Sequence, residues 1–395
     1  MDNSTKPSKY RLIFLLMSGV ILLLIVGGLV VYPKAKQRWT APLGPGLELP
    51  TYTPTDPYLS ATSLTLSPTS EPTKLLESPT PQDTKSFTPT TVPAATLQPT
   101  ASREPLCGGP PIMYILGLGI DTKDESYTYG LADVIRIARV DFVTPKVTML
   151  SIPRDLWVEI PEIEDYGVTH GKINQAFFYG SPGMNTYDGP GAGPGLFART
   201  LEKNFDLRVD HYGALNMLVL EKIINAVGGI DLYLPTDVDG TPTDRRTRDM
   251  GYFYAGQQHF NGDEAVRFSR IRKRYSDYQR VDNQNMVICA LREKLLSPTV
   301  LPKIPQIITS FQDSVITDLS FEQISQLACL LPHVKSENLI FTGLPQEILK
   351  HDQIYSPQMR NETFATQADM EIVRDYIHHF KAGAWPSQPK EPTCP

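Results

Sequence analysis

Several common kinds of chemistry are missing from this sequence. Its four cysteines, Cys107, Cys289, Cys329 and Cys394, stand too far apart for a Cys-x-x-Cys metal or redox site. The glycine-rich stretch Gly180 to Gly195 lacks P-loop spacing and no Gly-Lys-Ser/Thr follows it, which leaves a surface loop or lid as its reading. No internal repeat is present. The chain is not basic overall, with a formal net charge of −6. The guanidinium groups crowded into VRFSRIRKRYSDYQR, Val266 to Arg280, therefore need a local reason.

Charge is also missing from LIFLLMSGVILLLIVGGLVVY, Leu12 to Tyr32, a run long enough at helical rise to cross a hydrocarbon core. It exceeds a typical signal-peptide core and no small-x-small cleavage site closes it, so the prediction is a transmembrane helix over 12–32. Lys6, Lys9 and Arg11 on one side balance Lys34, Lys36 and Arg38 on the other, so flanking charge does not orient it. The next segment does. Residues 33–105 hold a Thr/Pro/Ser tract without apolar periodicity, which reads as a disordered stalk. A stalk of this kind places residues 1–11 in the cytoplasm and the remainder outside the membrane, in a compartment where cysteines pair and nucleic acid is an improbable partner. Pairings of Cys107 with Cys394 and of Cys289 with Cys329 fit the order of the cysteines.

From Pro110 strands alternate with helices. PIMYILGLGI, DVIRIARVDF, KVTMLSIP and IDLYLP read as strands; LFARTLEKNFDL, NMLVLEKIINAVGG and YQRVDNQNMVICALREKLL read as helices, the last with Val281, Ile288, Leu291 and Leu295 on an apolar stripe. The alternation predicts an α/β domain over 106–380 with helices packed on a mixed sheet, followed by a tail over 381–395.

Three groups of residues bear chemistry. Asp121 and Asp133 sit near strand ends, where a carboxylate pair serves a turn, an N-cap or a hard cation such as Mg²⁺. Arg154 and Lys172 stand in loops, as ligand contacts or as solvated ion pairs. In the third group Phe268, Arg270 and Arg272 alternate as on one strand face. Arg280 and Gln284 share a helix face, and Asp277 lies near that helix's N-terminus. Several guanidinium forks suit a pyrophosphate; the bland alternative is a basic surface stripe.

The strings ILGLGID, LADVIRIARVDFVTPKVTMLSIPRDLWVEIP, HGKINQAFFYG, NAVGGIDLYLP and QHFNGDEAVRFSRIRKRYSDYQRVDNQ, in this order between Met113 and Leu296, resemble the LytR-CpsA-Psr family of cell-envelope enzymes. The resemblance implies an α-β-α sandwich around a central mixed sheet. It also implies a membrane-anchored transferase that moves a glycopolymer from a polyprenyl-pyrophosphate carrier to a peptidoglycan sugar hydroxyl, with Mg²⁺. By position, Asp121 and Asp133 match the metal-associated aspartates, and Arg154, Arg270 and Arg272 the pyrophosphate-binding arginines. Lys172, Arg280 and Gln284 match further pyrophosphate contacts, and Asp277 a base or metal-side group. Two alternatives stay open: binding of the lipid or a phosphorylated glycan without turnover, and hydrolysis of the lipid pyrophosphate.

Two positions depart from the family pattern. Leu131-Ala132-Asp133 replaces Arg-Ser-Asp, and Asn283-Gln284-Asn285 replaces Arg-Gln-Gln, so two cations are missing. Arg136, three residues beyond Asp133, is a candidate to compensate, but simple alternation puts it on the opposite strand face from Asp133.

Overall fold

The apolar runs form strands because branched and aromatic side chains there alternate between two packed layers. The computed structural model describes residues 33–34, 36–49, 103–122, 126–245, 248–272, 277–311, 314–387 and 394, without the side chains of Asp277 and Tyr278. The helix expected over 12–32 lies outside these residues, and among the described helices none is long and apolar enough to cross a membrane.

The first strands are β1 (Ile112–Ile120), β2 (Ala132–Asp141) and β3 (Lys146–Ser151), followed by the short pair β4 (Trp157–Glu159) and β5 (His170–Lys172). Helices α1 (Asn174–Gly180) and α2 (Ala192–Phe205) come next, then β6 (His211–Asn216) and α3 (Met217–Ala226). Strands β7 (Ile230–Leu234) to β10 (Gly256–Phe260) enclose the short pair β8 (Val238–Asp239) and β9 (Tyr252–Phe253). They lead into α4 (Gly262–Phe268), α5 (Asp277–Leu296) and α6 (Ile304–Phe311). The chain closes with β11 (Ile316–Thr317), α7 (Phe321–Leu330), β12 (Leu339–Gly343), the hairpin β13 (Lys350–Ser356) and β14 (Asn361–Gln367), and α8 (Met370–Lys381). The described residues form a six-stranded mixed sheet in the order β11-β6-β1-β2-β3-β12: β1 runs parallel to β6, β3 parallel to β12, and the other neighbours are antiparallel.

On one face Leu116, Leu118, Ile120, Ile135 and Ile137 meet Phe177 of α1, Phe197 and Leu201 of α2, and Ile377 and Phe380 of α8 in a continuous core. On the other, Met113 and Val140 pack with Cys289 of α5 and Leu330 of α7.

Four expectations change. GAGPG does not form a loop but opens α2, because a Cβ at Gly193 or Gly195 would collide with Phe177 or with the Pro190 carbonyl; these glycines let α2 approach its neighbours. The Phe268–Arg272 strand is absent. Asn261 and Glu264 make a reciprocal capping box that starts α4, whose Ala265, Val266 and Phe268 are buried, so the arginines follow a helix end. The disulfides are Cys107–Cys329 and Cys289–Cys394, with Cα separations of 5.9 and 5.4 Å, because the turn holding Cys107 packs on α7 and the C-terminal segment returns to α5. Finally, the chain is folded beyond both ends of the expected domain. Leu47 is buried in the main core, Pro42 bridges Ser320, and the Tyr212 hydroxyl donates to the Pro45 carbonyl. In the tail Trp385 packs edge-on against Tyr376, and Cys394 is held by its disulfide.

Candidate functional site

Alternation along β1 turns Gly117 and Gly119 away from the packed core. Gly117 stands in register with Gly213 of β6 on one side and Arg136 of β2 on the other. A Cβ at Gly213 would meet nothing within 4 Å. With no side chains at these glycines, a cavity of about 500 Å³ remains beneath α3 and α5. From α5 it is lined by Arg280, Gln284, Val287, Ile288 and Leu291, one helical face. Ile288 and Leu291, from the expected apolar stripe, thus border open space.

The lining combines two kinds of surface. Val134, Leu215, Met217, Leu220, Met250 and, from α5, Val287, Ile288 and Leu291 are apolar. Against them stand, among the described residues, six arginines, Arg136, Arg154, Arg248, Arg270, Arg272 and Arg280, and one carboxylate, Asp133. A space with an apolar wall and a cationic wall suits a ligand having a greasy part and an anionic part.

Asp133 reaches the cavity through a bulge. Ile120 pairs with Ala132 but Gly119 pairs with Val134, so Asp133 is an extra residue in β2. The inserted residue resets the alternation, and Asp133 and Arg136 line the same cavity, contrary to the simple period-two expectation. Asp133 Oδ1 lies 2.6 Å from Arg154 Nη1, and Arg154 Nε lies 3.3 Å from Asp155 Oδ2. Lys172 Nζ is 3.2 Å from Asp155 Oδ1, so this lysine does not line the cavity but braces the carboxylate behind Arg154. Asn174 Nδ2 donates to Asp133 Oδ1 at 3.5 Å, while its own buried Oδ1 has no hydrogen-bond partner among the described residues.

The other expected residues fall as follows. Arg270, Arg272, Arg280 and Gln284 converge on the cavity. Asp121 is exposed just beyond β1, its N–H bonded to the Leu131 carbonyl, and is not in the cavity wall. Asp277 opens α5, but its side chain lies outside the described residues. Neither departure from the family pattern reaches the cavity. The Asn283 amide donates to the Phe268 carbonyl, and Leu131 is absent from the lining.

Arg136, Arg248 and Asn174 belong to the site without having been expected there. Only the basic run around Arg248 offered a sequence signal for it. Arg136 is buried, and its guanidinium donates to Asn285 Oδ1 at 2.7 Å and Gln284 Oε1 at 3.3 Å. Burial pushes its pKa down to about 10, opposed by the charge of Asp282, so it stays a cation at neutral pH. The sign follows from linkage: this desolvation cost, on the order of 3 kcal/mol, acts at all pH below about 10 and is relieved only above it.

Comparison with known proteins places this geometry. A profile of the LytR_cpsA_psr family matches residues 110–371. The polyisoprenyl-teichoic acid–peptidoglycan teichoic acid transferase TagU of Enterococcus faecalis is 28% identical over 249 residues, 61% of this chain and 74% of that protein. The transferase of the same name from Oceanobacillus iheyensis is 33% identical over 216 residues, 54% of this chain and 61% of that one. The crystal structure of B. subtilis TagV aligns with a TM-score of 0.51 at 25% identity, covering 68% of this chain and 96% of TagV. The structure of TagT bound to LIIa-WTA aligns with a TM-score of 0.50 at 19% identity, over 69% and 90% of the two chains, and shows likeness of fold alone.

Proposed function

Because the chain belongs to the LytR_cpsA_psr family, with its profile spanning residues 110–371, we propose that it transfers a glycopolymer from a polyprenyl-pyrophosphate carrier to a sugar hydroxyl of peptidoglycan. The observation that carries this reading is one cavity that joins an apolar wall to six arginines. The names of the relatives, polyisoprenyl-teichoic acid–peptidoglycan teichoic acid transferases, supply the substrate class.

In this reading the polyprenyl chain lies along Leu220, Val287, Ile288 and Leu291, and the pyrophosphate meets Arg154, Arg270, Arg272, Arg280 and Gln284. The acceptor oxygen attacks the phosphorus that bears the glycan, the bond to the bridging oxygen breaks, and polyprenyl phosphate leaves with that bond's electrons. Arginines aimed at the phosphoryl and leaving oxygens stabilise charge where it grows. Asp155, braced by Lys172, orients the Arg154 fork. The hydroxyl proton passes to a carboxylate, for which Asp277 at the start of α5 is the proposed acceptor.

A cation fits the donor set. Asp133 and Asp121 are hard oxygen ligands on neighbouring strand ends, and the unpartnered Asn174 Oδ1 lies beside Asp133. Among the described residues no group of three His, Cys, Asp or Glu side chains gathers, so phosphate oxygens and water complete the shell, as Mg²⁺ allows. When bound, Mg²⁺ would screen the negative charge of the phosphoryl oxygens. Two disulfides support an extracytoplasmic, oxidising location, with residues 12–32 as the proposed anchor.

The deciding experiment supplies the purified protein with Mg²⁺, a labelled short glycan on polyprenyl pyrophosphate and peptidoglycan fragments, beside Arg154→Ala. Label should become covalently attached to the fragments and stop moving in the variant. Binding without transfer would replace this reading with that of a receptor, and free phosphorylated glycan with that of a hydrolase.

A further inference from the structure

We propose that Arg136 is a direct ligand contact: a guanidinium rising from the sheet floor to pair with the diphosphate of the lipid, where it supplies positive charge that the helix and loop positions 131 and 283 do not. This rests on the pyrophosphate reading above and assigns a residue within that site.

Three observations point there. The first is placement: the bulge at Asp133 puts Arg136 on the cavity face, in register with the bare floor at Gly117. The second is its company. Arg139 and Arg199, which are comparably buried, each meet a carboxylate, Asp141 at 3.4 Å and Glu162 at 3.0 Å. Arg136 finds only neutral acceptors among the described residues: the Asn285 and Gln284 amides, the Val281 carbonyl at 3.5 Å, and the Phe341 ring 5.8 Å from its guanidinium carbon. The charge of Asp282 offsets the burial of this cation only in part, and an anionic ligand would offset the rest. The third is geometry. Asn285 and Gln284 hold the fork from the helix side, and a guanidinium has five N–H donors, so donors are left for the cavity.

Asn285 is by the same argument a positioning residue. Its short bond to Arg136 fixes the fork while its own charge is nil, so the pair leaves the cation's full charge available to a diphosphate.

The test compares geranylgeranyl pyrophosphate with the uncharged alcohol geranylgeraniol, binding to the full-length protein in detergent, for wild type, Arg136→Met and Arg136→Lys. Wild type should prefer the pyrophosphate. Arg136→Met should lose roughly tenfold in pyrophosphate affinity and leave alcohol affinity unchanged, a split that a purely structural role would not produce. Arg136→Lys keeps the charge but not the fork and should fall between them. If Arg136→Met fails to fold, the lysine variant decides alone. A preference equal to wild type in the folded variants overturns the assignment of Arg136 and leaves the pyrophosphate reading standing. Absence of preference in the wild type overturns both.

Discussion

The two faces of one strand have opposite fates. On β1, Leu116, Leu118 and Ile120 are almost wholly inaccessible and interlock with α1, α2 and α8, while Gly117 and Gly119, one residue out of phase, border the cavity. The same backbone hydrogen bonds serve both. Apolar area removed from water stabilises the first face, and the second gives up that gain to leave room for a ligand. Stability and binding are thus carried by alternate residues of one ladder, and substitutions should separate them.

Leu116→Ala gives the largest expected effect. It empties a packed site, so unfolding free energy should fall by about 2–5 kcal/mol in denaturant titration, with the lipid affinity of the remaining folded protein little changed. A loss of affinity without a loss of stability would break the division. Arg270→Ala on the cavity side should do the reverse: transfer falls by ~10²–10³-fold in a steady-state assay while the melting temperature stays near wild type. Gly213→Leu sharpens the comparison, since the new side chain starts in open space. Polyprenyl pyrophosphate binding by calorimetry should weaken by roughly tenfold or more, with little loss of stability.

The smallest effect concerns Asp231, remote from both faces. The hydrogen bond from His259, then the charge of Lys294, hold its carboxyl below the usual range. A carboxyl whose pKa is lowered by folding contributes stability above its unfolded value, near 4, and loses it as pH falls through the folded value. The group is exposed, so Asp231→Asn should cost only ~0.2–1 kcal/mol at neutral pH and flatten the acid limb of a stability–pH curve below about pH 4.

Sequence patterns specified much of this architecture. The runs in β1, β2 and β3, the stop of α3 before Gly228-Gly229 and the length of α5 follow from periodicity and end signals. The family strings brought Arg154, Arg270, Arg272, Arg280 and Gln284 to one cavity. What periodicity missed has specific causes. Five residues of alternating polarity around Arg270 have the period of a strand, but the capping box at Asn261 and Glu264 starts a helix that runs to Phe268 and leaves the arginines beyond its end. A one-residue bulge at Asp133 inverts every orientation inferred across it, which hid Arg136. Lys172 and Asp121 carry the expected residue types, but Lys172 is drawn to Asp155 and Asp121 lies just beyond the end of β1, so neither borders the cavity. Cysteine pairing depends on which helix packs over which turn, information that spacing does not contain.

The docking of residues 42–49 changes how far the domain can travel. Arg199 donates to the Leu47 carbonyl and Arg208 to the Leu49 carbonyl, so the chain is fastened to the folded unit before the Thr/Pro/Ser tract begins. A tether running from residue 33 to 105 would have a contour of ~250 Å; residues 33–34 and 36–40 are helical, so the stretch from residue 33 to the first attachment at Pro42 spans only ~20 Å. With residues 12–32 as anchor, the leash is shorter than a bilayer is thick, and Leu49 and Glu104, at the two ends of the Thr/Pro/Ser tract, belong to the same folded unit. Such a domain would work at the headgroup layer, where a polyprenyl carrier presents its pyrophosphate, and the reach to peptidoglycan would fall to the glycopolymer.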